Sequence, residues 1–131
     1  MVRHAYIGTL GLMAVLAFVP HTQAQDAMRG AALAFDSEKG NCTICHVIPG
    51  LGLPDEAQGN IGPSLDGVGA RHDRAGLVAL IEDPRTFFPD TVMPAFGVTE
   101  GLIAVAEPWR GKPILTSDEI EDIAAYLEGL R

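Results

Sequence analysis

The only two cysteines of this 131-residue chain stand three positions apart with a histidine directly behind them, in Cys42-Thr43-Ile44-Cys45-His46. Two thiols with two residues between them span the two vinyl positions of a porphyrin, to which each can add as a thioether. The adjoining histidine is then placed under the iron as its proximal ligand. C-x-x-C-H is the attachment signature of haem c, and a chain stapled to a large apolar disc must fold around it. Three other chemistries compete for the same residues. A structural zinc site would need both cysteines plus His46 and His72, the only such residues beyond position 24, and the paired spacing of such sites is missing from the second half. A thioredoxin-like dithiol belongs in a βαβ setting, which this sequence does not offer. A plain local disulfide leaves His46 without a task. One covalently attached haem c is the expected cofactor, held by Cys42 and Cys45 with His46 on its iron.

The rest of the chain is poor in material for a core of its own. Glycine occurs 15 times and proline 9 times, and both are concentrated in two stretches. Residues 47–69 carry Pro49, Gly50, Gly52, Pro54, Gly59, Gly62, Pro63, Gly67 and Gly69, too broken for a helix. Residues 86–115 carry Pro89, Pro94, Pro108 and Pro113 and read as a second loop. Helical spacing fills the remainder. Residues 26–37 place Met28, Ala32 and Phe35 on one face, with Gly40 where a left-handed cap residue is expected. Asp73 can cap a short helix carrying Leu77, Leu80 and Ile81, stopped by Asp83-Pro84. Thr116-Ser117-Asp118-Glu119 has the spacing of a capping box. The helix it starts buries Ile120, Ile123, Ala124 and Leu127, and its acidic residues 118, 119, 121 and 122 suit the positive N-terminal end. No strand alternation and no internal repeat is present. The prediction is a single all-α domain whose long loops pack against the cofactor.

Residues 1–24 read differently. Met1-Val2-Arg3-His4 is a short basic start, residues 5–19 are uncharged and apolar, Pro20 breaks the run, and Thr22-Gln23-Ala24 offers a small-residue cleavage site. This is the layout of a secretory signal peptide, and the run falls short of the roughly 20 apolar residues that a spanning helix needs. The expected product is residues 25–131, exported to the periplasm, with no membrane span after processing. Nine basic against 17 acidic residues give a formal net charge of −8. That balance argues against nucleic acid as a partner, since binding to phosphates rests on clustered Lys and Arg.

Three neutral groups beyond position 24 could complete the iron's coordination: Met28, His72 and Met93. Met28 occupies a core-like helical position, where a methionine is normally packing. His72 sits at a helix start among Arg71, Asp73 and Arg74. Met93 lies in the loop Val92-Met93-Pro94-Ala95-Phe96-Gly97, where Pro94 confines its backbone to extended geometry. Spacing favours Met93 without removing the others. His/Met ligation fills both axial sites and raises the potential, which suits electron transfer rather than substrate activation. A backbone carbonyl in Gly62-Pro63-Ser64-Leu65 could accept the Nδ1–H of His46 and fix its tautomer; a plain turn explains that tetrapeptide equally well. Arg71, Arg74, Arg110 and Lys112 could meet haem propionates or an acidic partner, though a solvated surface is the commoner fate of such charges.

Taken together these residues resemble class I cytochromes c. The shared pattern is a helix ending at C-x-x-C-H, a GP-x-L loop, a Met-Pro loop and a closing helix of Ile-Ala-Ala-Tyr-Leu type at residues 123–127. In that family the first and last helices cross at a Gly/aromatic contact, matched here by Gly30 or Ala31, Phe35 and Tyr126. Several blocks narrow the resemblance to the SoxX family, the small monohaem subunits of SoxAX thiosulfate-oxidising cytochromes. They are Gly40-Asn41 with the haem motif, Leu53-Pro54-Asp55-Glu56, Gly59-Asn60-Ile61-Gly62-Pro63, Gly67-Val68-Gly69-Ala70-Arg71, Pro89-Asp90-Thr91-Val92-Met93-Pro94 and Arg110-Gly111-Lys112-Pro113-Ile114-Leu115-Thr116. The resemblance implies that Cys42 and Cys45 bind haem covalently and that His46 and Met93 ligate its iron. It further implies a SoxA-type haem partner that carries the sulfur chemistry. The pair would act as an L-cysteine S-thiosulfotransferase, joining thiosulfate oxidatively to a cysteine of the carrier SoxYZ. Electrons would leave through this subunit to another cytochrome. No residue of this chain is assigned a catalytic role. A free-standing soluble cytochrome c carrier shares the fold and ligands and is the alternative; a haem-free metal or structural module is the reading from another class, which the haem absorbance of the purified protein would decide.

Overall fold

A computed structural model describes residues 23–131. The expected signal peptide, apart from Gln23 and Ala24, lies outside the described residues. Four α-helices are present among the described residues: α1, Gln23–Phe35; α2, Val68–Arg71; α3, Arg74–Glu82; and α4, Ser117–Glu128. Single 3-10 turns at Cys42–Ile44, Asp55–Ala57, Pro84–Thr86 and Glu107–Trp109 punctuate the loops between them. There is no strand among the described residues. No helix among them is long and apolar enough to cross a membrane.

Helix α4 is the central element, and its sequence explains why it forms. The Thr116 side chain accepts the Glu119 N–H while the Glu119 carboxylate accepts the Thr116 N–H, so the expected capping box is made in both directions. Ile120, Ile123, Ala124 and Leu127 are all buried and form the core with Ala34, Val68, Leu77, Ile81, Phe96 and Leu115. Asp73 caps α3 as expected, accepting from Gly76 N–H at 2.8 Å. Helix α2 is one turn flanked by Gly67 and His72, too short to leave a periodic signal. Gly69 lets this turn lie against the end of α4, where an added Cβ would sit 2.1 Å from the Glu128 carbonyl oxygen.

Helix α1 crosses α4 at Gly30. A Cβ at that position would lie 1.9 Å from the backbone oxygen of Asp122, so only glycine lets the two backbones come this close. The expected family contact is therefore made through Gly30 rather than Ala31. Phe35 and Tyr126 complete it edge to face, with ring centroids 5.9 Å apart and planes at 77°. Of the face assigned to α1 by spacing, this geometry keeps Phe35 and overturns the rest. Gly30 and Ala34 point inward, whereas Met28 is 76% exposed. Gly40 does not adopt the left-handed conformation expected of it; Asn41 does, at φ 45°. Gly40 instead packs under the end of α1, donating to the Leu33 carbonyl at 3.0 Å.

Charges on α4 also do more than suit its dipole. Asp122 is buried at the crossing and pairs with Arg29. Arg74 reaches Glu121 and Glu128, tying α3 to α4, and Lys39 pairs with Glu119 at 2.7 Å. Burial by itself would raise the Glu119 carboxyl, but hydrogen bonds from Lys39 and from the Thr116 backbone outweigh it and hold the group below its usual range. A carboxyl lowered on folding contributes stability above its unfolded value of about 4.5, lost as pH falls through the folded one. Glu119→Gln should accordingly flatten the acid limb of the stability curve, read as thermal midpoint against pH. A wild-type slope below pH 4.5 in that variant would refute this account.

Candidate haem site

The pentapeptide 42–46 is a tight turn whose backbone closes on itself: Cys45 and His46 N–H both donate to the Cys42 carbonyl, at 3.2 and 2.9 Å. A second segment runs beside it. Gly59 N–H donates to Thr43 oxygen at 2.8 Å, Gly62 N–H to Cys45 oxygen at 2.8 Å and Leu65 N–H to Val47 oxygen at 2.9 Å. Gly59 permits this approach, since a Cβ there would stand 2.0 Å from the Ile44 carbonyl oxygen. The pairing brings Pro63 carbonyl to 2.7 Å from His46 Nδ1. That hydrogen bond fixes the protonated nitrogen as Nδ1 and leaves Nε2 as the free donor of a lone pair. The tetrapeptide 62–65 is thus the histidine's second support and not merely a turn.

Gly62 presses on the same ring. A Cβ at this position would fall 2.3 Å from His46 Cε1 and 2.6 Å from Nδ1. Gly62→Ala should push the imidazole out of line and break its bond to Pro63. We expect the yield of haem-loaded protein to fall several-fold, measured as haem absorbance per protein, with helix content retained in what accumulates. A variant loaded and coloured like the wild type would show that the ring has room to move.

Met93 lines the same cavities as His46. Its N–H donates to Thr91 Oγ1 at 3.1 Å, and the chain just beyond it is anchored by Phe96 N–H to Ile81 oxygen and Gly97 N–H to Glu82 oxygen, at 3.2 and 3.1 Å. Its half-buried side chain packs against the core. Two adjoining cavities, of about 350 and 950 Å³, share Cys42, Cys45, His46 and Met93 as walls. The smaller is lined by core residues, among them Leu65, Leu77, Ile81, Leu115 and Ile123. The larger opens between residues 37–46 and residues 98–114. The cysteines are unpaired with each other, and burial pushes the Cys42 thiol up to about 11, its neighbour Cys45 adding to the effect.

The other candidate residues fall elsewhere. Met28 lines neither cavity. His72 is exposed at the end of α2, on the border of the smaller one. Arg74 is committed to α4 and Arg110 to Glu107 at 2.7 Å, whereas Arg71 beside the smaller cavity donates to the Ser64 and Asp66 carbonyls. Lys112 borders the larger cavity with its ammonium 3.3 Å from Pro108 oxygen. Arg85, not singled out by any motif, also lines the larger cavity.

The site suits haem c on its own geometry. Two thiols, an imidazole with its Nε2 left free and a thioether converge on apolar walls, and Ile44, Ile61, Phe88 and Val92 around them are more than half exposed in the protein alone. Zinc is not supported, because no group of three or more His, Cys, Asp or Glu among the described residues is placed to hold a metal ion. Comparison with known proteins agrees. The sequence matches the family model described as cytochrome c over residues 27–131. No curated protein matches the chain in sequence. Among solved structures, the crystal structure of SoxXA from P. pantotrophus superposes with a TM-score of 0.68 at 31% identity, covering 91% of this chain and 88% of that chain.

The chain belongs to the cytochrome c family, an all-α fold whose cofactor is covalently bound haem c and whose role is electron transfer. Within that family its likeness to SoxXA supports a cytochrome of SoxX type.

Proposed function

We propose that this protein is the electron-transfer subunit of a periplasmic heterodimeric L-cysteine S-thiosulfotransferase, exported with a signal peptide removed after Ala24. Its partner is a SoxA-type haem subunit that carries out the sulfur chemistry, oxidatively coupling thiosulfate to a cysteine of SoxYZ. This chain relays the electrons to another cytochrome. The observation that carries the reading is the likeness to SoxXA over nearly the whole chain, joined to a site whose only reactive groups suit haem attachment and ligation.

Each residue has a stated task. Cys42 and Cys45 would hold haem c through two thioethers, and His46 and Met93 would ligate its iron. When bound, haem c supplies a one-electron iron couple. Pro63 carbonyl holds the Nδ1 proton of His46, which increases the basicity of Nε2. The Met93 thioether favours ferrous iron and keeps the potential high. Leu77, Ile81 and Leu115 exclude water from the inner wall, where a low dielectric again favours the less charged oxidation state. With His46 and Met93 both as ligands, the iron would have no position left for substrate.

The test is isolation of the native protein under mild conditions. Co-purification with a larger haem subunit, and thiosulfate-driven reduction of this haem only when that subunit and SoxYZ are present, is the expected result. A strictly monomeric cytochrome that exchanges electrons freely with respiratory partners and ignores thiosulfate would establish the free-standing carrier instead.

A further inference from the structure

Residues 97–114 form a closed excursion with both ends pinned at one place. Phe96 and Gly97 N–H donate to the carbonyls of Ile81 and Glu82, and Leu115 N–H returns to Phe96 oxygen at 3.0 Å. Inside the excursion the polar contacts are local. Trp109 N–H donates to Ala106 oxygen, Arg110 N–H to Glu107 oxygen and Lys112 N–H to Trp109 oxygen. Arg110 pairs with Glu107, and Lys112 Nζ donates to Pro108 oxygen. Among the described residues, one side chain makes every hydrogen bond that joins the body of this loop to the rest of the protein. Arg85 Nη1 donates to Gly101 oxygen at 3.0 Å and Nη2 to Glu100 oxygen at 3.3 Å.

The guanidinium is braced from behind. Arg85 Nε donates to Asp83 Oδ1 at 2.7 Å and Nη2 to Oδ2 at 2.9 Å. Asp83 is itself fixed, since its Oδ1 accepts the Arg85 N–H and so caps the turn Pro84–Thr86, whose Pro84 is fully buried. A planar fork that grips a carboxylate with one edge while reaching two carbonyls is a task lysine cannot perform. The loop also needs holding: Ala104 sits at φ 58°, a conformation that a residue with a Cβ rarely adopts.

What the loop does follows from where it lies. Leu102, Val105, Ala106 and Trp109 line the larger cavity together with Cys42, Cys45 and Met93, and Arg85 lines it too. We infer that Arg85, braced by Asp83, is a positioning residue for the redox centre: it holds residues 97–114 as a wall of the haem cavity and so limits the water that reaches it. The inference rests on the haem-site reading above. Water admitted at that wall favours ferric iron, so loosening the loop lowers the reduction potential.

The experiment uses the haem-loaded protein as wild type, Arg85→Lys and Arg85→Ala. Amide hydrogen exchange and an equilibrium redox titration are read on each. Exchange over residues 98–113 should be about tenfold faster in Arg85→Ala, with protection in α4 unchanged and a lower potential. Arg85→Lys should fall between, and it carries the test alone if the alanine variant does not accumulate. Wild-type exchange in the loop would overturn the inference. Loosening of α4 to the same extent would do so too, since Arg85 would then be a general structural support. A faster loop with an unmoved potential would break the link to the redox centre. Wild-type protein that carries no haem would instead defeat the underlying site reading, and is seen before any variant is made.

Discussion

Valine in place of Gly30 is expected to leave almost no folded protein. The first side-chain carbon would enter the space of the Asp122 backbone at 1.9 Å, with the Asp122 carbonyl carbon at 2.4 Å and Ile123 nitrogen at 2.9 Å. All three are backbone atoms of α4, so no rotamer change relieves the clash and the helices must part. Overpacking of this kind costs about 3 kcal/mol or more, against a total stability of roughly 5–15 kcal/mol for a domain of this size. Parting the helices separates Phe35 from Tyr126 and draws Arg29 away from Asp122, so the ring contact and the ion pair are lost together. Soluble yield and thermal unfolding of the haem-loaded protein measure the effect. A valine variant melting within a few degrees of wild type would mean that the two helices are not bound to this crossing.

Met93→Ala should act on the cofactor rather than on the fold. It removes the thioether that favours ferrous iron, and the potential is expected to drop by a few tenths of a volt, within the roughly 0.8 V over which axial ligands move haem. The weak red band of ferric His/Met haem should disappear with it. The side chain is only partly buried and sits at the edge of the core, so the destabilisation should stay near the lower end of the about 2–5 kcal/mol seen for methionine truncation in cores. Potentiometric titration and the ferric spectrum read both effects. Should the band and the potential persist, another thioether is on the iron, and Met28, the only other methionine among the described residues, becomes the residue to replace.

Most of what could be read in advance shares one property: its cause lies within a few residues. The Asp73 cap, the Thr116 capping box and the stripe Ile120, Ile123, Ala124, Leu127 are local patterns, and each stands where it was expected. Of the features decided across the chain, the crossing of Gly30, Phe35 and Tyr126 and the Pro63 carbonyl on His46 were anticipated, whereas others were misread or missed. Hydropathy turned α1 toward Met28 and Ala32, whereas packing turned it toward Gly30 and Ala34, because closeness to α4 matters more there than apolar bulk. Asp122 looked like one more acid favouring the helix dipole, and only Arg29, distant in sequence, makes it a buried half of a pair. The turn after α1 placed its left-handed residue at Asn41, freeing Gly40 for close packing. Arg85 had no signal at all, since its partners Glu100 and Gly101 offer backbone oxygens and carry no side-chain mark.

The contact between α1 and α4 joins the first described helix to the last. Every proposed haem ligand lies between them, so a ribosome that has delivered Cys42, His46 and even Met93 has not yet delivered the strut against which they are arranged. The crossing cannot form before α4 is present, so the fold that surrounds these groups is completed from the far end of the chain.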